Sequence, residues 1–210
     1  FFMASMAKEI LLVTADTYSK YINPKDRSTR ILFGDGAAAT IVKKSIKRKG
    51  IIDIDLGSSG SGYDKFWIPA GGLRNPKSDN TSIEHEDHRG IIRSQNNITM
   101  DGLGVWSFIN SVAPMQVNKL LKRNNLKTKD VNQFIFHQAS LITLNSVLKI
   151  LEIDEGKVFI NIRNIGNTVS SSIPIALKDA ISQGKINTGS CIVLSGFGVG
   201  LSYGAILMEY

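Results

Sequence analysis

His137 closes the apolar run Phe134-Ile135-Phe136, and a helical pattern opens directly after it. Asn167 stands in a similar relation to a second run, Val158-Phe159-Ile160, with a short loop before it and a helical pattern after it. In α/β sheets, ligand sites gather beyond the carboxyl ends of strands. An imidazole and a carboxamide at two such ends could therefore converge on one substrate atom. Both residue types also have structural uses: a lone histidine can serve only to satisfy buried polar groups, and an asparagine beside glycine can serve only as a turn.

Weaker signals lie elsewhere in the chain. Gly196-Phe197-Gly198-Val199-Gly200 has the outline of a dinucleotide-binding loop. It is followed by strand-like alternation where a helix is needed, and no acidic partner stands at the required distance. His85 and His88 sit among carboxylates, with no third metal ligand on a rigid element, so a solvated loop is expected there. Cys191, the single cysteine, opens an apolar strand with no helix N-terminus to activate it and reads as structural. One cysteine excludes an internal disulfide and fits a reducing compartment. Asn80-Thr81-Ser82 and Asn97-Ile98-Thr99 match glycosylation sequons, without meaning in a cytosolic protein.

The elements that must hold His137 and Asn167 are legible from periodicity. Ile10 to Ala15, Ala37 to Val42 and Ile51 to Leu56 read as strands, the last alternating apolar and acidic residues as a half-buried strand does. Gly57 to Gly62 reads as a turn, and residues 73 to 99 as an exposed loop with short strands. Leu103, Trp106, Ile109, Val112 and Ala113 have helical spacing, and Pro114 is expected to divide that helix in two. The remainder alternates: strand 131–136, helix 140–151, strand 157–160, helix 170–182, strand 191–194, strand 201–208. Such alternation indicates a layered α/β fold.

The chain has 210 residues, 42% hydrophobic and 20% charged, within the range of globular proteins that bury a sizeable core. No apolar run approaches the roughly 18 residues of a membrane helix. The apolar opening Phe1 to Ala7 is too short for a signal peptide and lacks a basic region before it. Phe1 in place of methionine leads us to expect an internal start. The net charge of +7 gathers at Lys43, Lys44, Lys47, Arg48 and Lys49, and at Lys119, Lys122, Arg123, Lys127 and Lys129. No aromatics interleave to stack nucleic-acid bases. Solvated loops and helix ends account for these lysines, with attraction to an acidic carrier protein or coenzyme A phosphates as the alternative.

Several strings carry a resemblance. His137-Gln138-Ala139-Ser140 is similar to the histidine motif of the β-ketoacyl-ACP synthase III family, usually His-Gln-Ala-Asn. Gly166-Asn167-Thr168 with Ser171 to Leu177 resembles its asparagine motif. Arg27-Ser28-Thr29, Leu32 to Ala37, Pro69 to Gly72 and Gly196 to Leu201 follow in the family's order. The resemblance implies a thiolase-like layered fold of two similar halves, with residues 1–50 ending the first and 51–210 forming the second. It implies a Cys-His-Asn site, of which His137 and Asn167 are two members, and decarboxylative condensation of an acyl-CoA starter with malonyl-ACP in fatty acid biosynthesis. In that chemistry His137 and Asn167 donate hydrogen bonds to the thioester oxygen that becomes negative. Backbone N–H groups of the loop Gly198-Val199-Gly200 serve a second oxyanion.

The resemblance further implies no cofactor and no metal, an acidic acyl carrier protein as partner, a homodimer, a cytoplasmic location, and neither nucleic acid nor membrane as a partner. Departures are visible. The family's cysteine segment would precede Phe1, so the chain alone is expected to form no acyl-enzyme. Ser140 replaces Asn, a change that keeps a helix cap. Ile142 and Ser107 stand where carrier-contacting basic residues are usual, whereas Lys149 keeps one. The polar stretch from Arg74 to Asn97 is longer than usual. Acyl transfer without decarboxylation, or a non-catalytic thiolase-like subunit, are the alternative readings.

Overall fold

The computed structural model describes residues 7–45 and 50–210. The apolar opening at Phe1 to Met6 and the basic residues Lys47, Arg48 and Lys49 lie outside the described residues.

Two β-branched and apolar runs pair first. Strand β1 (Glu9–Asp16) lies antiparallel to β2 (Gly36–Lys43), with Leu11 opposite Ile41 and Val13 opposite Ala39. A separate four-stranded sheet takes β3 (Gly50–Ser58), β4 (Gln133–Phe136), β5 (Cys191–Gly198) and β6 (Ser202–Glu209) in the order β3-β6-β5-β4. Only β4 and β5 run parallel, so only this pair brings two carboxyl ends side by side.

Successive side chains of β4 point to opposite faces, and all four of its residues are buried. Phe134 and Phe136, with stacked rings 6.1 Å apart, face helices α1 (Gly102–Arg123) and α2 (Leu141–Leu151). Ile135 faces helix α3 (Ser172–Ser182) together with Ile192, Ala176 and Ala180. Helix α3 touches β2 as well as β4. Four layers result: α1 and α2, the four-stranded sheet, α3, and the β1–β2 ribbon.

Two expectations are corrected. Helix α1 runs unbroken through Pro114. Proline removes its own N–H and crowds the carbonyl of Asn110, at a cost of about 3 kcal/mol. Ile109 and Ala113 before it and Val117, Leu120 and Leu121 after it pack into one core, and that shared burial holds both flanks on a common axis. Residues 157–160 form no strand. They make a single parallel bridge, Val158 to Phe134, after a 3-10 turn at Glu155–Lys157. The fully buried Gln138 side chain then replaces a ladder: its Nε2 donates to the Phe159 carbonyl at 3.3 Å, and its Oε1 accepts from the Asn161 N–H at 3.1 Å.

Strand β3 is half-buried as its alternation predicts, and the structure decides which face is covered. It is the acidic face, Asp53 and Asp55, that turns inward. Arg123 grips Asp53 through two nitrogens at 2.7 and 2.8 Å, and Lys119 pairs with Asp55 at 2.8 Å. Gln116, fully buried, donates to the Asp55 carbonyl at 2.9 Å. Two of the basic residues assigned to a solvated face thus tie α1 to β3, and Ile52, Ile54 and Leu56 face outward.

Between β3 and α1 the polar stretch contains a helical turn at Asp79–Ser82 and a small hairpin, His85–Glu86 against Ile92–Arg93.

Candidate active site

His137 follows β4 without a break: its backbone N–H donates to the Ser195 carbonyl at 2.8 Å, which extends the β4–β5 ladder by one rung. Ser140 then caps α2 by accepting from the Thr143 N–H at 3.1 Å, so the chain turns away directly after the imidazole. The ring meets Phe197 edge-on at 5.5 Å, and Nδ1 lies 2.5 Å from the Ser172 hydroxyl oxygen. Burial pushes the imidazole pKa down to about 4. At neutral pH the ring is uncharged, because among the described residues no carboxylate beside it repays the desolvation of a cation.

Asn167 is held by the backbone. Its N–H donates to the Leu32 carbonyl and its carbonyl accepts from the Gly34 N–H, both at 2.9 Å, in a parallel bridge with Phe33. This approach needs glycine on both sides. A Cβ on Gly34 would fall 2.3 Å from the Ile165 carbonyl oxygen, and Gly166 has φ +68° with Leu32 and Gly34 backbone 3.2 Å from its missing Cβ. The Asn167 Oδ1 accepts from the Val169 N–H at 2.9 Å. That bond fixes the amide orientation; Nδ2 gives one proton to the Ala139 carbonyl at 3.4 Å and keeps a second to offer. Val169 itself has φ 53°, a left-handed conformation that costs a β-branched residue on the order of 1–3 kcal/mol.

His137 and Asn167 line one cavity of about 520 Å³. Phe33, Phe66, Trp106, Phe108 and Leu201 supply much of its wall, and Gly198 also lines it. Val199 and Gly200 do not line it: Val199 is exposed, and its carbonyl accepts from the Ser202 hydroxyl at 2.7 Å. Lys149 is exposed on α2, seven residues from Ile142, which lines the cavity. That spacing puts both on one helix face. Ser107 is exposed on α1.

Cys191 is away from this cavity, at the start of β5 with its N–H on the Asn132 side chain at 2.7 Å. Burial, then the nearby Asp130 and Glu209 carboxylates, push its thiol pKa up. A protonated thiol inside a strand is a poor nucleophile. His85 and His88 are exposed, and among the described residues no group of three His, Cys, Asp or Glu side chains is placed to hold a metal.

Two contributors had no role assigned from sequence. Ser172 and Val169 act through the hydrogen bonds above, and the run Ser170-Ser171-Ser172 was the available signal. Each serine takes a different partner: Asp16, the Thr14 and Gly36 carbonyls, and His137.

A neutral imidazole and an oriented carboxamide on an apolar cavity can stabilise an oxygen that gains negative charge. The chain is similar to known proteins over most of its length. Residues 121–210 match the family described as 3-oxoacyl-[acyl-carrier-protein (ACP)] synthase III C terminal, and residues 1–60 match 3-oxoacyl-[acyl-carrier-protein (ACP)] synthase III. A β-ketoacyl-[acyl-carrier-protein] synthase III of Clostridium tetani is 38% identical across all of this chain, which covers 62% of that protein. A crystal structure of a 3-oxoacyl-(acyl-carrier-protein) synthase III superposes with a TM-score of 0.95 at 35% identity, over 99% of this chain and 62% of the other. The Thermus thermophilus synthase III gives a TM-score of 0.84 at 29% identity, over 99% and 61%. The chain spans about three fifths of the length of the curated relatives it matches.

Proposed function

This chain belongs to the 3-oxoacyl-[acyl-carrier-protein] synthase III family, and from that premise we propose that it serves the decarboxylative condensation of an acyl-CoA starter with malonyl-ACP in fatty acid biosynthesis. The observation that carries the reading is the shared cavity of His137 and Asn167, each held by the protein on one side, with Asn167 keeping one amide proton beyond its bond to the Ala139 carbonyl.

The roles follow from where charge develops. When malonyl thioester loses CO₂, the bond between C2 and the carboxylate breaks. Its electron pair moves into a C1–C2 double bond, and negative charge collects on the thioester oxygen. Two donors already aimed at that oxygen lower the barrier by roughly 3–4 kcal/mol each. An uncharged imidazole is the right partner, since it donates without first having to lose a competing anion. The enolate carbon then attacks an acyl thioester carbonyl, and the thiolate leaves. Cys191 is unsuited to carry that acyl group. This chain therefore supplies the decarboxylation donors and not the acyl-accepting nucleophile.

The same reading takes residues 1–50 as the end of one thiolase-like half and 51–210 as the other, supported by the separate β1–β2 and four-stranded sheets. It takes Lys149 as a contact for an acidic carrier protein, Gly198 to Gly200 as the backbone of a second oxyanion site, and a cytoplasmic homodimer as the assembly.

The test uses the chain itself with malonyl-ACP and malonyl-CoA, following CO₂ release. Decarboxylation without condensation is expected, and His137→Ala or Asn167→Ala should each lower the rate by about 10²-fold with the circular dichroism spectrum unchanged. Decarboxylation at wild-type rate in both variants would remove these two residues from the chemistry.

A further inference from the structure

A neutral imidazole has one N–H, and a donor role at the substrate oxygen requires that proton on the nitrogen facing the cavity. Burial settles the charge of His137 but not the choice of nitrogen. The partners of Ser172 do bear on that choice.

Ser172 is fully buried at the first position of α3. Its hydroxyl oxygen has two neighbours among the described residues: the Gln138 N–H at 3.4 Å and the His137 Nδ1 at 2.5 Å. The Gln138 N–H can only donate, so it occupies the oxygen as acceptor. If Nδ1 also carried a proton, the oxygen would accept twice and its own O–H would point at no acceptor in a buried place. A buried donor left unpaired costs about 1–3 kcal/mol. If Nδ1 is bare, every group is satisfied in a chain running from Gln138 N–H to the Ser172 oxygen, and from the Ser172 O–H to Nδ1. The ring proton is then left on Nε2.

We infer that Ser172 is a positioning residue: it donates to Nδ1 of His137 and so holds the imidazole proton on Nε2, toward the cavity shared with Asn167. The inference rests on the reading of His137 as a hydrogen-bond donor to the thioester oxygen. Helix α3 adds to the effect. Its N-terminus carries partial positive charge within the first turn, where Ser172 lies, and this disfavours a second proton on the ring beside it. Val169 gives Asn167 the matching treatment, fixing Oδ1 so that the amide nitrogen is presented. Both donors are thus set by the segment 167–172, one by a backbone N–H and one by a hydroxyl.

Long-range proton–nitrogen correlation spectra of the ¹⁵N-histidine-labelled chain read the tautomer directly. The chain has three histidines, and a His137→Asn spectrum assigns the signal. The expected result at pH 7 is an Nε2–H ring for His137. Ser172→Ala should shift it toward the Nδ1–H form and lower kcat for malonyl-CoA decarboxylation by at least about tenfold, with KM little changed. Ser172→Thr, which keeps the hydroxyl, should restore both. An Nδ1–H ring in the wild-type chain overturns the inference without recourse to any variant, and so does an Nε2–H ring that survives Ser172→Ala unchanged. If the tautomer responds as expected but the wild-type chain releases no CO₂, the proposed function fails and the tautomer assignment stands.

Discussion

At the scale of the residue, His137 is the most constrained group in the site. Its pKa of about 4 lies below the roughly 6.5 of an exposed imidazole. Between those values the unfolded chain binds a proton that the folded chain refuses, so stability falls as pH falls from about 6.5 to 4 and the loss is complete below 4. The cavity-facing edge of the ring limits this to at most about 3 kcal/mol. Urea midpoints at pH 7.5 and 4.5 test it: His137→Asn should lose less stability than the wild type on acidification, by roughly 2 kcal/mol. Equal losses would show that burial does not hold the ring neutral. Asp53, Asp55, Asp87 and Asp101 are held low by their hydrogen-bond partners, so their effect comes at lower pH and is common to both proteins. The two site residues could be read from sequence because each follows an apolar run and the motifs around them are short and distinctive. Ser172 was not assigned a role, because a hydrogen bond to a residue 35 positions away leaves no local pattern, and Val169 was not, because its backbone N–H bonds to Asn167 whatever its side chain.

At the scale of the element, what matters is where each helix starts relative to the strand before it. Ser140 sets the start of α2 three residues after His137, through its bonds to the Thr143 N–H and hydroxyl. Ser140→Ala should cost about 1 kcal/mol in a denaturant titration, and Ser140→Asn should cost little. Equal losses in the two variants would mean that the cap is not what stabilises this turn. Strands β1 to β6 and the helix starts were legible, since they rest on local periodicity and capping. Pro114 was not: the rule that proline breaks helices is local, whereas the continuity of α1 comes from the core it shares with β4, β5 and β6. Residues 157–160 had the composition of a strand, but Gln138 takes the carbonyl and N–H groups that a neighbouring strand would need.

At the scale of the whole molecule, apolar surface is unevenly covered. Ile54 and Leu56 on β3 are 46% and 77% exposed, and Leu11 and Val13 on β1 are 64% and 62% exposed. Among the described residues β3 is an edge strand. Exposed apolar edge strands invite association, so the chain is expected to self-associate at micromolar concentration in sedimentation experiments. Ile54→Lys with Leu56→Lys should reduce that association without loss of secondary structure. A wild-type chain that sediments as a monomer and melts cooperatively would count against this.

The sequence by itself determined the layered α/β class, the order of strands β1 to β6 and of helices α1 to α3, and the identity of the imidazole and carboxamide, because these depend on neighbours within a few positions. Only the tertiary structure decided which face of β3 turns inward. Alternation gives two faces without saying which is buried, and Arg123, Lys119 and Gln116 on α1 make the acidic one the inner face. The tertiary structure also decided which nitrogen of His137 is engaged, since that depends on a serine brought next to it by the packing of α3 against β4.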